Sequence, residues 1–219
     1  MIYVAVLFTE NKPDELILPR DFEAIERITS AKAAGVRQSR IFAYSLLERA
    51  YFDIFGEPMP PLSFDTHGKP SLVGSKTRIS ISHTDGICAV AFSNFDIGVD
   101  VQSYDEMCGK ERVLQRFVNE TLQNIIKNAK PPEVSYLIYK TSKTGIILVR
   151  GEGRDMLDEK INEDECYRAA ALWSSLEAAL KCRGGFCEYK NAENLLRAMR
   201  LETRYLYGAA LSVAVIETK

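Results

Sequence analysis

Asp100 and Gln102 stand two apart in Ile97-Gly-Val-Asp-Val-Gln, and Glu177 and Lys181 stand four apart in Trp173-Ser-Ser-Leu-Glu-Ala-Ala-Leu-Lys. On a strand, residues two apart share a face, so Asp100 and Gln102 present a carboxylate and an amide oxygen together while Val99 and Val101 point away. On a helix, residues four apart stack, so Trp173, Glu177 and Lys181 form a column. A hard divalent cation such as Mg²⁺ takes oxygen ligands from one or two carboxylates plus a substrate phosphate, and Asp100 with Glu177 would supply two. Lys181, one turn beyond Glu177, would meet a phosphate oxygen or the nucleophile. Taken singly, the first pair also reads as a strand end running into solvent. The second also reads as a surface ion pair worth about 0.2–0.5 kcal/mol.

Candidate phosphate contacts lie upstream. Ile79-Ser-Ile-Ser-His-Thr-Asp-Gly offers Ser82 and His83, Gly68-Lys69-Pro70 offers Lys69, and a helix carries Arg40. The charges are surface groups by default and phosphate contacts if they line one cleft. Gly151-Glu-Gly-Arg lacks the strand-to-helix context of a phosphate-cradling loop and reads as a turn. No Ser/His/Asp set with a nucleophile elbow is visible, and Cys182 with Cys187 has the wrong partners for a metal.

The elements that must position these residues follow from periodicity and turn signals. Ile2–Phe8 reads as a core strand and, beyond Pro13, the run from Asp21 has helical spacing. A second helix is expected over Arg37–Phe55, packing Ile41, Tyr44, Leu47, Tyr51 and Ile54, with Gly56 as its stop. Leu62-Ser-Phe reads as a short strand before a turn. Two apolar runs bounded by Asp85-Gly86 and Asn94-Phe-Asp read as neighbouring strands. Ser103 to Gly109 is a polar seam. Glu111–Lys127 reads as one or two helices broken near Asn119, and Val134–Lys140 with Gly145–Arg150 as a hairpin. A solvated connection with Glu163-Asp-Glu leads to a helix over Cys166–Cys182 that Gly184-Gly185 ends. Asn191–Arg200 reads as a further helix, before strands near Glu202–Leu206 and Ala209–Glu217.

Each half mixes helices with apolar strand pairs. The expected fold is therefore α+β, with two similar lobes in one chain, residues 1–103 and 104–219. At 219 residues and 46% hydrophobic content the chain can bury its own core. A net charge of −2 argues against a nucleic-acid binder or a membrane-surface protein, both of which need a basic excess. Five scattered Cys, an odd number without a Cys-x-x-Cys pair, do not form a disulfide framework or a zinc site, so reduced cysteines and a cytoplasmic location are expected. The apolar N-terminus is too short for a signal peptide, and no run approaches a membrane span.

With these residues in order, the chain resembles the 4′-phosphopantetheinyl transferases of the larger, surfactin-synthetase-activating type. Gly68-Lys69-Pro70 looks like the family's Gly-Lys-Pro block, and Ile81-Ser82-His83-Thr84 resembles Asn-x-Ser-His-Ser. Gly98-Val99-Asp100-Val101-Gln102 resembles Gly-x-Asp-x-Glu. Arg116-Phe117-Val118-Asn119-Glu120 looks like Arg-Phe-Phe-x-x-Glu with one residue fewer, and Trp173 to Lys181 is similar to Trp-x-x-Lys-Glu-Ala-x-x-Lys. The resemblance spans roughly Arg37 to Lys181 and rests on the joint order of weak blocks.

The resemblance implies transfer of the 4′-phosphopantetheine arm of coenzyme A to a serine of an acyl or peptidyl carrier protein by a monomer. It implies Mg²⁺, or Mn²⁺, held by Asp100, Glu177 and the Gln102 position. Asp100, Glu177 and Lys181 would be catalytic. Arg40, Lys69, Pro70, Ser82 and His83, with Asp100, Glu177 and Lys181, would bind coenzyme A. Two departures stand out: Gln102 replaces a third acidic ligand, and Leu176 stands where the family often has Lys. A coenzyme A or nucleotide binding protein that has lost transfer is the rival expectation, and a scaffold with decorative charges is a third.

Overall fold

The computed structural model describes residues 1–9, 19–110, 114, 118–143, 145–149, 165–184, 192–206 and 208–216. Expectations that fall on Pro13, Arg116, Phe117, Gly151 to Arg154, Glu163, Asp164, Gly185 and Cys187 lie outside the described residues. The chain is mixed α+β, as its pattern predicts, with six helices and ten strands among the described residues.

Local signals set most element ends. Helix α1 (Phe22–Thr29) starts at Asp21, whose Oδ1 accepts the Ala24 N–H at 2.9 Å. The other oxygen of Asp21 accepts the Leu62 N–H at 2.9 Å, which ties α1 to β2. Helix α2 (Ala34–Phe55) ends at Gly56, whose φ of 73° suits a residue without Cβ. Asp85-Gly86 closes the hairpin of β4 (Arg78–Thr84) and β5 (Ile87–Ser93). Strand β1 spans Ile2–Phe8, and β2 (Leu62–Phe64) pairs with β3 (Pro70–Leu72).

The remaining elements follow in chain order. Strand β6 (Asp96–Ser103) runs into the short α3 (Tyr104–Met107), and α4 spans Glu120–Lys127 with Asn119 as its cap. The expected hairpin forms from β7 (Val134–Ser142) and β8 (Gly145–Leu148). Helix α5 (Glu165–Arg183) and α6 (Ala192–Arg197) precede β9 (Arg200–Leu206) and β10 (Ala209–Ile216).

Five strands form one sheet in the order β4-β5-β1-β7-β8, and three form another, β6-β10-β9. Both sheets cross the seam expected near residue 103. Strand β7 lies parallel to β1, and β6 lies antiparallel to β10. Such pairings between distant segments carry no local signal.

Alternation then builds the layers. On β1, Ile2, Val4, Val6 and Phe8 meet Leu211, Val213 and Val215 of β10 in a core between the sheets. Ala5 and Leu7 face Leu46, Leu47 and Ala50 of α2 on the outer side. On β10, Ala210 and Ala214 face Ala178 and Ala179 of α5. The order is therefore helix, sheet, sheet, helix.

One expectation needs correction. Cys108, at the end of α3, and Cys166, at the start of α5, are joined as a disulfide, whereas reduced cysteines were expected. Their spacing of 58 residues hid the pairing, because the fold alone brings the two helix ends together. Cys88 and Cys182 are free and buried. No helix among the described residues is long and apolar enough to cross a membrane.

Candidate functional site

The two sheets meet at their edges through hydroxyls. Ser80, Ser82 and Thr84, alternate residues of β4, accept the N–H groups of Val99 at 3.0 Å, Val101 at 3.2 Å and Ser103 at 3.3 Å. Side chains thus satisfy edge amides of β6 that would otherwise be buried without partners. The Ser-x-Ser-x-Thr pattern is the sequence cause, since period-two alternation aims all three hydroxyls at β6.

Helix α5 lies closely over β6 because of Gly98. A Cβ on Gly98 would overlap the Ala178 carbonyl oxygen and stand 2.5 Å from the Cys182 nitrogen. Small residues continue the approach: Ser174 Oγ is 2.8 Å from Ser212 Oγ of β10, and Ser175 Oγ is 2.9 Å from Thr203 Oγ1 of β9. Leu176 is fully buried in this contact, so the position where the family often has Lys faces the core here.

That approach delivers Lys181 to Asp100. Lys181 Nζ donates to Asp100 Oδ1 at 2.6 Å and to Ser82 Oγ at 3.1 Å, and the Ser82 hydroxyl donates to the same Oδ1 at 2.8 Å. Asp100 is buried, yet its Oδ2 has no hydrogen-bond partner among the described residues. Burial pushes the Asp100 carboxyl up from its ordinary value, Lys181 and Ser82 pull it back, and Glu106 raises it.

Glu177 stands one turn before Lys181, half-buried. Desolvation and then the charge of Asp100 raise its carboxyl, with Lys181 opposing. Two carboxylates that repel one another, one with an unsatisfied buried oxygen, are a donor set that a hard divalent cation would stabilise. No group of three His, Cys, Asp or Glu side chains able to hold a metal is found among the described residues. Gln102 follows Asp100 on the same face, and its Nε2 donates to Glu106 Oε2 of α3 at 2.6 Å. Sequence reasoning missed Glu106. The available signal was its spacing of four from Gln102 across a strand-to-helix junction.

The other expected residues divide into two groups. His83 points to the opposite side of β4 from Ser82 and is exposed. Desolvation, then the charges of Lys181 and Arg40, lower its imidazole from the ordinary value. Arg40 Nη1 donates to the Arg27 carbonyl. The Arg27 guanidinium lies 3.6 Å from the centroid of the Phe64 ring and beside Gly68. Lys69 Nζ donates to the Cys182 carbonyl at 2.8 Å, at the last turn of α5, and its neighbour Pro70 opens β3. Burial lowers the Lys69 ammonium from its ordinary value.

Asp100, Ser82, Lys181 and Glu177 therefore come together, with Gln102 beside them. Lys69 meets the same helix one residue beyond Lys181. The Ser82 hydroxyl is engaged with Asp100, Lys181 and the Val101 amide. Arg27, which no motif singled out, joins Arg40 and the Gly68-Lys69-Pro70 turn. No protein-family model matches the chain, and no curated protein matches it.

Proposed function

We propose that the chain transfers the 4′-phosphopantetheine group of coenzyme A to a serine of an apo acyl or peptidyl carrier protein, releasing adenosine 3′,5′-bisphosphate. The observation that carries the reading is the convergence of Asp100, Glu177 and Lys181 from β6 and α5, with Asp100 Oδ2 unsatisfied. The motif order from Gly68 to Lys181 supports it. On this reading the two halves, 1–103 and 104–219, are similar and related by a pseudo-twofold, each sheet drawing strands from both, in a cytoplasmic monomer.

Asp100 and Glu177 would hold Mg²⁺, or Mn²⁺, with the Gln102 amide oxygen beside them. When bound, such an ion neutralises charge on the pyrophosphate of coenzyme A. The carrier serine Oγ forms a bond to the phosphorus that bears the pantetheine arm, and the bridging P–O bond to the adenosine phosphate breaks. Glu177, its carboxyl raised from the ordinary value by burial and by the charge of Asp100, takes the serine proton directly or through a water. Lys181 offers its ammonium to the departing phosphate, a charge-assisted contact suited to the charge that develops there. Arg40, Lys69 and His83 donate to the nucleotide phosphates, with Pro70 shaping the turn that carries Lys69. Ser82 holds Lys181 and Asp100 in register.

The test is release of adenosine 3′,5′-bisphosphate from coenzyme A, followed by chromatography with and without apo carrier protein and Mg²⁺. Release that requires both supports the reading. Coenzyme A binding without release from any of several carriers replaces it with a binding protein of the same fold. No coenzyme A binding removes both.

A further inference from the structure

Gln102 is an ambiguous ligand by itself, since its amide can present oxygen or nitrogen to the same place. Glu106 removes the ambiguity. An ionised carboxylate only accepts, so the contact of Gln102 with Glu106 Oε2 at 2.6 Å fixes Nε2 on that side. Gln102 Oε1 is thereby held on the other side, with no partner among the described residues. It shares a face of β6 with Asp100, whose buried Oδ2 is also unpartnered.

We propose that Glu106 is a positioning residue that locks the Gln102 amide with its oxygen toward the cation site, so that a neutral amide serves where a third carboxylate would otherwise stand. This inference rests on the transferase reading for the identity of the site, and it concerns cation uptake alone. The chemistry favours the division of labour. Asp100 and Glu177 already repel one another, and a third carboxylate in direct contact would raise both further. An amide adds an oxygen without charge, and Glu106 supplies negative charge from behind it, as carboxylates do behind metal-bound ligands. The sequence encodes the device as a spacing of four. Gln102 is the last residue but one of β6, Ser103 ends the strand and leads into α3, and Glu106 returns on the first turn of that helix.

The experiment is a Mn²⁺ titration of the full chain followed by electron paramagnetic resonance of the free ion, with and without coenzyme A. Glu106→Gln keeps shape but allows the substituted amide to donate as well as accept, so Gln102 can turn over. The expected result is Mn²⁺ affinity about tenfold weaker, within the range for partners behind a metal ligand. In a Gln102→Ala background the same substitution should change affinity by less than about twofold, because nothing remains to orient. Wild-type affinity in Glu106→Gln, or a tenfold loss that persists without Gln102, overturns the positioning role and leaves the transferase reading standing. A wild type that takes up no Mn²⁺ in either condition overturns the cation site itself, and the positioning role with it.

Discussion

Lys181 Nζ lies 2.6 Å from Asp100 Oδ1, and the aspartate side chain is only 8% exposed. The pair joins the end of α5 to the middle of β6, so it is a structural clamp as well as the centre of the site. Removing Lys181 leaves a buried carboxylate without its cation, which costs about 3–5 kcal/mol. Lys181→Ala should show that loss in denaturant unfolding. In an Asp100→Asn background, where no charge needs compensation, the loss should fall below about 2 kcal/mol. Equal losses in both backgrounds would show that Lys181 acts through packing instead.

Gly98 is the point of closest approach between β6 and α5. Gly98→Ala should destabilise the protein by about 3 kcal/mol, at the upper end for overpacking, because the obstructing atoms are helix backbone and cannot rotate away. Unfolding in urea measures it. A shift within 0.5 kcal/mol, the rough scale of a surface change, would mean that α5 does not sit on β6 as described.

The carboxyls of Asp100 and Glu177 are both raised, from ordinary values of 3.8 and 4.5. In the window above those values the native protein keeps protons that the unfolded chain has lost. Stability in the presence of a chelator should therefore fall as pH rises through that window. Asp100→Asn together with Glu177→Gln should flatten the slope. Unfolding curves at a series of mildly acidic pH values would show it, and an unchanged slope in the double variant would assign the dependence elsewhere.

Cys108 and Cys166 link α3, which carries Glu106, to the start of α5, which carries Glu177 and Lys181. Peptide mapping without reduction should recover the Cys108–Cys166 pair. Ser at both positions should lower stability by about 2–4 kcal/mol. Cys88 and Cys182 should resist alkylation in the folded protein at pH 8, since burial pushes their thiols up to about 12 and about 11. Rapid alkylation of either in the native state would contradict their burial.

Where a local signal existed, the sequence was legible. Asp21 marks the start of α1, Gly56 the end of α2, and Asp85-Gly86 the hairpin, because caps and tight turns depend on adjacent residues. The faces of β6 were legible for the same reason, since Asp100 and Gln102 share one side and Val99 and Val101 the other. What escaped depends on distant pairing. Nothing near Val134 announces that β7 lies on β1, and nothing near Asp96 announces β10. Ser82 shows the limit most clearly. Its contact with the Val101 amide depends on the approach of β6, which no residue near Ser82 announces. Glu106 was missed because its meaning lies in its contact with Gln102.

On the proposed function, Glu177 and its neighbours move phosphopantetheine onto a carrier. The most direct measurement is the intact mass of an apo carrier protein after incubation with coenzyme A, Mg²⁺ and either the wild type or Glu177→Gln. With the wild type, the carrier serine should gain one phosphopantetheine group. Glu177→Gln should give none while binding coenzyme A within about tenfold of wild type, a gap of roughly 1.4 kcal/mol. An unchanged carrier mass with the wild type, across carriers of fatty-acid, polyketide and peptide synthesis, would contradict it.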